Sequence, residues 1–126
     1  MKKIIKTLNA PKPIGPYNQA IEAGDFLFIS GQLPIDPKTG KIVESDITIQ
    51  TRQVIQNILA ILNAANYNLS NIVQSMVYLS SMELFEEFNI EYARHFQIDF
   101  PSRVTVGGAE LKNGALIEIA ITAYRP

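Results

Sequence analysis

Residues 115–124 constrain the fold more than any other segment, because they alternate like a β-strand yet lack a clearly polar face. Alternate side chains of a strand point to opposite faces of a sheet. Ile117, Ile119 and Ile121 therefore share one face, which we expect to pack under helices. The residues of the other face are Leu116, Glu118, Ala120, Thr122 and Tyr124. Only one of them is charged, so we expect another copy of the chain to cover this face.

Two segments have the apolar period of an amphipathic helix. The first begins at residue 47, with Ser45 or Asp46 as its N-cap, and stops at Asn66. The second begins with Ser80 and Glu83, which have the spacing of a capping box. Its aromatic side chains then step by three and four positions: Phe85, Phe88, Tyr92 and Phe96. Each helix has a single apolar face, which predicts that both lie on the same side of a sheet.

Five segments carry strand signals, the one at residues 115–124 among them. They are residues 17–21, 26–30, 72–79, 102–106 and 115–124. The elements follow one another as a β-rich region, α, β, α, β, β, with about six strands for two helices. This order predicts an α+β sandwich of two layers, a six-stranded mixed sheet with two helices on one face. Because the chain has 126 residues, 47% of them apolar, we expect one domain over residues 1–126.

Composition excludes several classes of chemistry. Eleven Lys and Arg balance twelve Asp and Glu, so the chain has no overall field that would attract nucleic acid or an anionic membrane. It has no cysteine, and His95 is its one histidine, which we place on the surface in the last helical turn. These counts argue against a zinc site, a Cys nucleophile and a Ser-His-Asp triad. We expect a soluble, cytoplasmic protein without a metal.

The segment 102–106 supplies the cation that a buried acid would need. Arg103 and Thr105 share one strand face, and Val104 and Val106 share the other. We expect the valines to join the core and Arg103 to turn towards the face that carries Glu118. Arg103 then either forms a structural ion pair or holds a small carboxylate with the two parallel hydrogen bonds of its planar guanidinium. A carboxyl in such an interface loses water, which raises its pKa.

Two other places have polar residues that the pattern does not require. Asn89 lies at the edge of the aromatic stripe, where it is either a satisfied helix-face amide or a ligand contact. Ser30 ends a strand directly before Gly31, where the backbone either leaves the strand for a turn or approaches a bound molecule closely.

Several motifs in the same order resemble those of the Rid family, the YjgF-type reactive intermediate deaminases. The matching segments are Ala10-Pro11, Ile14-Gly15-Pro16-Tyr17, Ser30-Gly31-Gln32-Leu33-Pro34, Pro37-Lys38-Thr39-Gly40, Phe88-Asn89, Pro101-Ser102-Arg103 and Ile117-Glu118-Ile119. They cover nearly the whole chain. The resemblance implies a chorismate-mutase-like α+β fold, assembled as a homotrimer with three clefts between subunits.

The resemblance also implies an activity, the hydrolysis of 2-imino acids and their enamine tautomers to 2-keto acids and ammonia. In that family pattern, Arg103 binds the substrate carboxylate and Glu118 handles the attacking water. The other substrate-binding positions that the resemblance implies are Tyr17, Ser30, Gly31, Asn89, Val104 and Thr105. No cofactor is implied. The alternative within the family is a regulatory protein that binds a small metabolite without deaminating it, of the type named translation inhibitor or ribonuclease.

The sequence departs from the family pattern near the end of the cleft strand. Thr105 stands where the family usually has Cys, and Gly107-Gly108 stands where Glu-Val is usual. Glu110 replaces a usual Arg and Lys112 a usual Pro. The Arg and the Glu of the pattern are both present, so the resemblance still implies the deaminase activity.

Overall fold

A six-stranded mixed sheet forms one layer of the structure, a computed structural model that describes residues 1–97 and 99–126. Its strands are β1 (Lys3–Ile5), β2 (Ala20–Ala23), β3 (Phe26–Gln32), β6 (Ile72–Leu79), β7 (Ser102–Val106) and β8 (Ile117–Tyr124). Their order across the sheet is β1-β2-β3-β8-β6-β7, in which β6 and β7 are parallel and the other neighbours antiparallel. A separate hairpin joins β4 (Ile35–Asp36) to β5 (Lys41–Ile42).

Two helices form the second layer, α1 (Ile47–Ala64) and α2 (Phe85–Arg94). Asp46 caps α1, because its side chain accepts a hydrogen bond from the Ile49 amide at 2.9 Å. The chain leaves α1 through Asn66, whose φ of 63° lies in the left-handed region. The α+β sandwich with both helices on one side of a mixed sheet is therefore confirmed. Among the described residues, no helix has the length and apolarity that crossing a membrane requires.

The helix-facing side of β8 forms the centre of the core. Ile117, Ile119 and Ile121 are 0%, 1% and 3% exposed, as their alternation predicts. Val77 from β6 and Phe88 from α2 are buried in the same cluster. Burying side chains of this size stabilises the fold by about 1.5–3 kcal/mol each.

The start of α2 differs from the predicted capping box. Ser80 is still bound to the sheet, since its amide donates to the Leu116 carbonyl at 2.9 Å. Ser81 is the cap instead, and its hydroxyl accepts from the Glu83 amide at 3.1 Å. It begins a short 3₁₀ turn (Met82–Leu84) that leads into α2. The capping-box prediction at Ser80 was wrong: the cap is one residue later and is a single hydrogen bond, because the bond to Leu116 holds Ser80 at the end of the sheet.

Two strand predictions were also inexact. The partner of β3 is Ala20–Ala23 rather than residues 17–21, because Tyr17 and Asn18 belong to the preceding loop. The strand β1 was not predicted, since three residues are too few to reveal alternation. It pairs with β2 and lengthens the sheet at that edge.

A buried carboxylate joins the two helices. Glu91 of α2 accepts hydrogen bonds from both Nε and Nη2 of Arg52 in α1, each at 3.2 Å. His95 Nε2 lies 2.8 Å from Glu91 Oε2, and Arg94 Nη1 lies 3.3 Å from Oε1. Burial raises the pKa of Glu91, but the hydrogen bonds and charges of Arg52 and His95 outweigh it, so the pKa lies below its usual value. His95 is thus part of an interhelical ion-pair group rather than a simple surface residue.

Candidate functional site

The face of the sheet that the helices leave open carries apolar side chains from all six strands, beside the polar Gln74, Ser102 and Thr122. We call it the open face; its side chains include Ile4, Ile21, Phe26, Phe28, Met76, Ala120, Val104, Val106 and Tyr124. Many of them are largely exposed in the single chain. Among the described strand residues in these rows, Glu118 supplies the one charge. A surface this large and apolar is typical of an interface.

A first hollow, of about 470 Å³, lies at one end of the open face. Its lining residues are Ile14, Tyr17, Ser30, Gly31, Leu33, Glu110, Leu111, Lys112 and Glu118. It brings together four of the predicted site residues: Tyr17, Ser30, Gly31 and Glu118. Glu110 and Lys112, two of the departures from the family pattern, lie at the same hollow.

Glu118 lies directly against the backbone of Gly31. A Cβ added to Gly31 would lie only 2.9 Å from Cδ of Glu118, so no larger residue fits there without displacing the carboxylate. Burial raises the pKa of Glu118 above its usual value. Within the described residues the carboxylate forms no ion pair. The Glu118 carboxyl therefore packs against Gly31, is partly removed from water and has a raised proton affinity.

The rest of the first hollow is fixed by hydrogen bonds from its loop. The Ser30 hydroxyl donates to the Asn18 carbonyl at 2.6 Å, and the Tyr17 hydroxyl accepts from the Ile14 amide at 3.1 Å. Gln19, a buried residue that the sequence did not single out, holds the N-terminal loop in place. Its amide nitrogen donates to three loop carbonyls, those of Thr7, Ala10 and Pro11.

Arg103 does not lie on the face that carries Glu118, so the predicted orientation of β7 was wrong. In the strand pairing, Arg103 is level with Ser75, which is level with the buried Ile121 on the helix side. Glu118 is level with Tyr78, and Tyr78 with Val106, on the open face. The alternation of β7 is as predicted, but its valines face outwards and its Arg faces the helix layer.

The reason is that α2 offers the guanidinium an aromatic surface. The Arg103 Cζ atom lies 5.6, 5.1 and 5.0 Å from the ring centres of Phe85, Phe88 and Tyr92. We call these three rings the aromatic cradle. Cation–π attraction to three rings compensates a guanidinium for lost water. Among the described residues, no carboxylate forms an ion pair with Arg103.

A second hollow, of about 330 Å³, lies beside this guanidinium at the β7 edge of the sheet. Its lining residues are Asn89, Tyr92, Ala93, Phe100, Pro101 and Arg103. The Oδ1 atom of Asn89 is buried and has no hydrogen-bond partner in the described residues. A buried acceptor without a donor is costly, so this position favours a ligand that donates a hydrogen bond. The second hollow thus has the groups to bind a small, apolar carboxylic acid.

Thr105 and Val104 lie on opposite sides of β7. Thr105 is level with Val77 and Ile119, so it shares the helix-side face with Arg103. Val104 is level with Met76 and Ala120 on the open face, where it is largely exposed. The strand ends at Val106, and the residue after it, Gly107, packs closely against Met82. A Cβ added there would lie 2.9 Å from the Met82 amide nitrogen.

Six of the eight predicted site residues therefore form two groups, while Val104 and Thr105 line neither hollow. Tyr17, Ser30, Gly31 and Glu118 form the first hollow, and Asn89 and Arg103 belong to the second. In one chain the two charged groups, Glu118 and Arg103, face opposite sides of the sheet. The first group offers an acid–base group and the second an anion-binding group. Neither is a complete catalytic site by itself.

Comparison with known proteins identifies similar chains of the same length. The family profile described as Endoribonuclease L-PSP matches residues 7–125. A RutC family protein of Pyrococcus horikoshii is 55% identical over 125 residues, 99% of each chain. The crystal structure of YyfA, a conserved Rid family protein of Yersinia pestis, has a TM-score of 0.96 and 43% identity, covering 99% of this chain and 100% of its own. The structure of Escherichia coli TdcF with bound serine has a TM-score of 0.93 and 35% identity, covering 98% of this chain and 99% of its own.

Proposed function

The chain belongs to the Endoribonuclease L-PSP family, the Rid or YjgF family, and from that membership we propose that it hydrolyses 2-imino acids to 2-keto acids and ammonia. The substrates proposed are 2-iminobutanoate and 2-iminopropanoate, with their enamine tautomers. The observation that carries the proposal is Arg103, a guanidinium that forms no ion pair with a carboxylate in the described part of the chain and lies at the wall of a small apolar hollow. Such a group binds a carboxylate through two parallel hydrogen bonds.

The complete site in this proposal lies between two copies of the chain. One copy supplies Glu118 with Tyr17, Ser30 and Gly31, and its neighbour supplies Arg103 with its own residues of the second hollow. Two features support this arrangement. The open face next to Glu118 is apolar, and Arg103 lies on β7, an edge strand of the sheet. We propose a homotrimer, in which three such clefts repeat around the assembly.

The proposed reaction needs only water and a proton carrier. Arg103 holds the substrate carboxylate while the oxygen of a water attacks C2, and Glu118 takes a proton from that water. Glu118 gives the proton to the imine nitrogen, whose C=N electron pair has moved onto nitrogen, and a carbinolamine results. Glu118 next transfers the hydroxyl proton to the nitrogen, the C–N bond breaks, and ammonia leaves the 2-keto acid. The raised pKa of Glu118 suits a group that must both accept and return a proton near neutral pH.

A regulatory protein that binds a small metabolite is the second candidate. It is favoured by the same anion-binding hollow, which needs no acid–base group to bind a ligand, and by the serine bound to the related TdcF. In that function Arg103 would still bind a carboxylate. Glu118 would have no catalytic part, and the wild-type chain would bind a 2-keto acid without accelerating imine hydrolysis, which distinguishes the two candidates.

The test couples the protein to a threonine dehydratase, which releases 2-iminobutanoate, and measures 2-ketobutyrate while semicarbazide competes for the imine. The wild-type chain should accelerate keto-acid release. Arg103→Ala should raise the KM about 10²-fold, because it removes a charged two-bond contact. The matched control is Arg125→Ala, since Arg125 also lies over an aromatic ring, that of Tyr67, but lines neither hollow. No acceleration by the wild-type chain would reject the deaminase, and normal kinetics in Arg103→Ala would reject the role of Arg103.

A further inference from the structure

The aromatic cradle is more than a place to bury the stem of Arg103. Its three ring centres lie between 5.0 and 5.6 Å from the Arg103 Cζ atom, and Tyr92 is the nearest of them. Cation–π attraction to a ring uses none of the N–H donors in a conventional hydrogen bond, so the guanidinium keeps them available for a carboxylate. The cradle can therefore fix the direction of those donors without occupying them.

Tyr92 is itself held on both sides. Its hydroxyl donates to the Ser75 Oγ at 2.8 Å in a buried hydrogen bond. Ser75 is the residue of β6 that is level with Arg103 of β7. The Tyr92 ring also contacts the rings of Phe88 and Phe96, whose centres lie 5.3 and 4.9 Å from its own. The Tyr92 ring thus ties α2 to β6, the strand paired with the one that carries Arg103.

We propose that Tyr92 is a positioning residue: its ring, locked by Ser75 and Phe88, fixes the Arg103 guanidinium for a substrate carboxylate. The inference rests on the proposed function, because it concerns how Arg103 binds that carboxylate. It adds a residue that touches the arginine from α2. Without the ring, Arg103 keeps its charge but samples more rotamers, so each binding event must order a flexible side chain.

Two variants separate the ring from the hydroxyl. Tyr92→Leu removes the ring but remains apolar, and Tyr92→Phe keeps the ring while losing the bond to Ser75. We expect Tyr92→Leu to raise the KM about three- to tenfold, because one cation–π contact is lost, while kcat stays nearly unchanged. Tyr92→Phe should restore most of the affinity. The control is Tyr67→Leu, which removes a buried Tyr under Arg125, 4.8 Å from its ring centre, with no expected change in KM.

A second measurement needs no substrate. In ¹H–¹⁵N spectra of the wild-type chain, the Arg103 Nε–H should be shifted by the ring currents of the cradle. That shift should diminish in Tyr92→Leu and persist in Tyr92→Phe. Phe85→Leu, at a partly buried ring of the same cradle, gives the same measurement if Tyr92→Leu fails to fold.

The outcomes distinguish the positioning role from the proposed function. If the wild-type chain neither hydrolyses an imine nor binds 2-ketobutyrate, the proposed function fails, and the spectra alone then decide whether the ring orders Arg103. If the wild-type chain is active and Tyr92→Leu keeps both its KM and its Arg103 shift, the positioning role is rejected while the deaminase stands. A fall in kcat as large as the rise in KM would also overturn it, since it would indicate general damage to the fold.

Discussion

The two faces of the sheet are built from the same strands but have different roles. On β8, Ile117, Ile119 and Ile121 are packed under the helices, while Glu118 and Ala120 between them lie on the open face. The helix side contains the large apolar core. The open side combines exposed apolar residues with one carboxyl of raised pKa. The comparison teaches that stability and proposed activity are separated by a single step along a strand, so substitutions at adjacent positions should have different effects.

The sharpest test of this separation is Glu118→Gln. We expect it to lower kcat by about 10²–10⁴-fold, because it removes the proton carrier of the proposed reaction. Protein stability near neutral pH should not fall. Folding raises the pKa of Glu118, so the native chain binds more protons than the unfolded one between the two pKa values, and ionised Glu118 disfavours folding above them.

Two measurements check that prediction. The pH–rate profile of the wild-type chain should rise through the ionisation of a carboxyl, at a pH above the usual value for Glu. Thermal unfolding should show Glu118→Gln to be at least as stable as the wild-type chain at pH 7. Full activity in this variant would remove Glu118 from the proposed mechanism.

The two faces are compared directly by Val77→Ala and Val104→Ala, the same change on neighbouring strands. Val77 is 1% exposed on the helix side and Val104 is 53% exposed on the open face. We expect Val77→Ala to cost about 2–3 kcal/mol in the free energy of unfolding, from lost burial and the cavity left behind. Val104→Ala should cost less than about 0.5 kcal/mol in the isolated chain.

Urea unfolding at several protein concentrations extends this comparison to the proposed assembly. If copies of the chain cover the open face, the cost of Val104→Ala should rise with protein concentration, because association stabilises only the folded chain. A cost that is equal for both valines at low concentration would remove the distinction between the two faces.

The sequence predicted the faces correctly where a strand is central and incorrectly where it is at the edge. The isoleucines of β8 allow one orientation, because only the helix side of a two-layer fold can bury three of them. For β7 either face could pack under the helices, and its valines indicated the wrong one. The cradle that attracts Arg103 comes from α2, so its effect on β7 depends on packing that alternation does not express. The family resemblance named six residues that line the two hollows, but it did not indicate that one chain separates the two groups.

Polar contacts between segments that are distant in the sequence were the other feature that the sequence analysis did not predict. The Asp46 cap is local and was predicted, with Ser45 as the alternative, since a cap acts on the next few amides. Gln19 and Glu91 act across the fold. Helical spacing indicates Arg94 and His95 as neighbours of Glu91, but nothing near Glu91 in the sequence indicates Arg52 of the other helix. Glu91 in particular resembles the exposed acids of α2 around it, yet it is buried and joined to Arg52.

Glu91→Gln tests whether the stability of the helix side of the molecule also depends on a charged group. The folded pKa of Glu91 lies below its ordinary value of 4.5, so ionised Glu91 stabilises the fold above that value, and its contribution is lost as the pH falls through the folded pKa. We expect a cost of about 1–2 kcal/mol at pH 7, reduced from that of a fully buried charged contact because Arg52 is half exposed.

The control for Glu91→Gln is Glu87→Gln, an exposed acid of the same helix. Urea unfolding at pH 7 and at pH values below 4.5 should show the gap between Glu91→Gln and the wild-type chain closing with acid, while Glu87→Gln follows the wild-type chain throughout. A gap of constant size would assign the effect to packing rather than to ionisation. The distinction matters for the site, because Glu91 precedes Tyr92 and fixes against α1 the helix that supports Arg103.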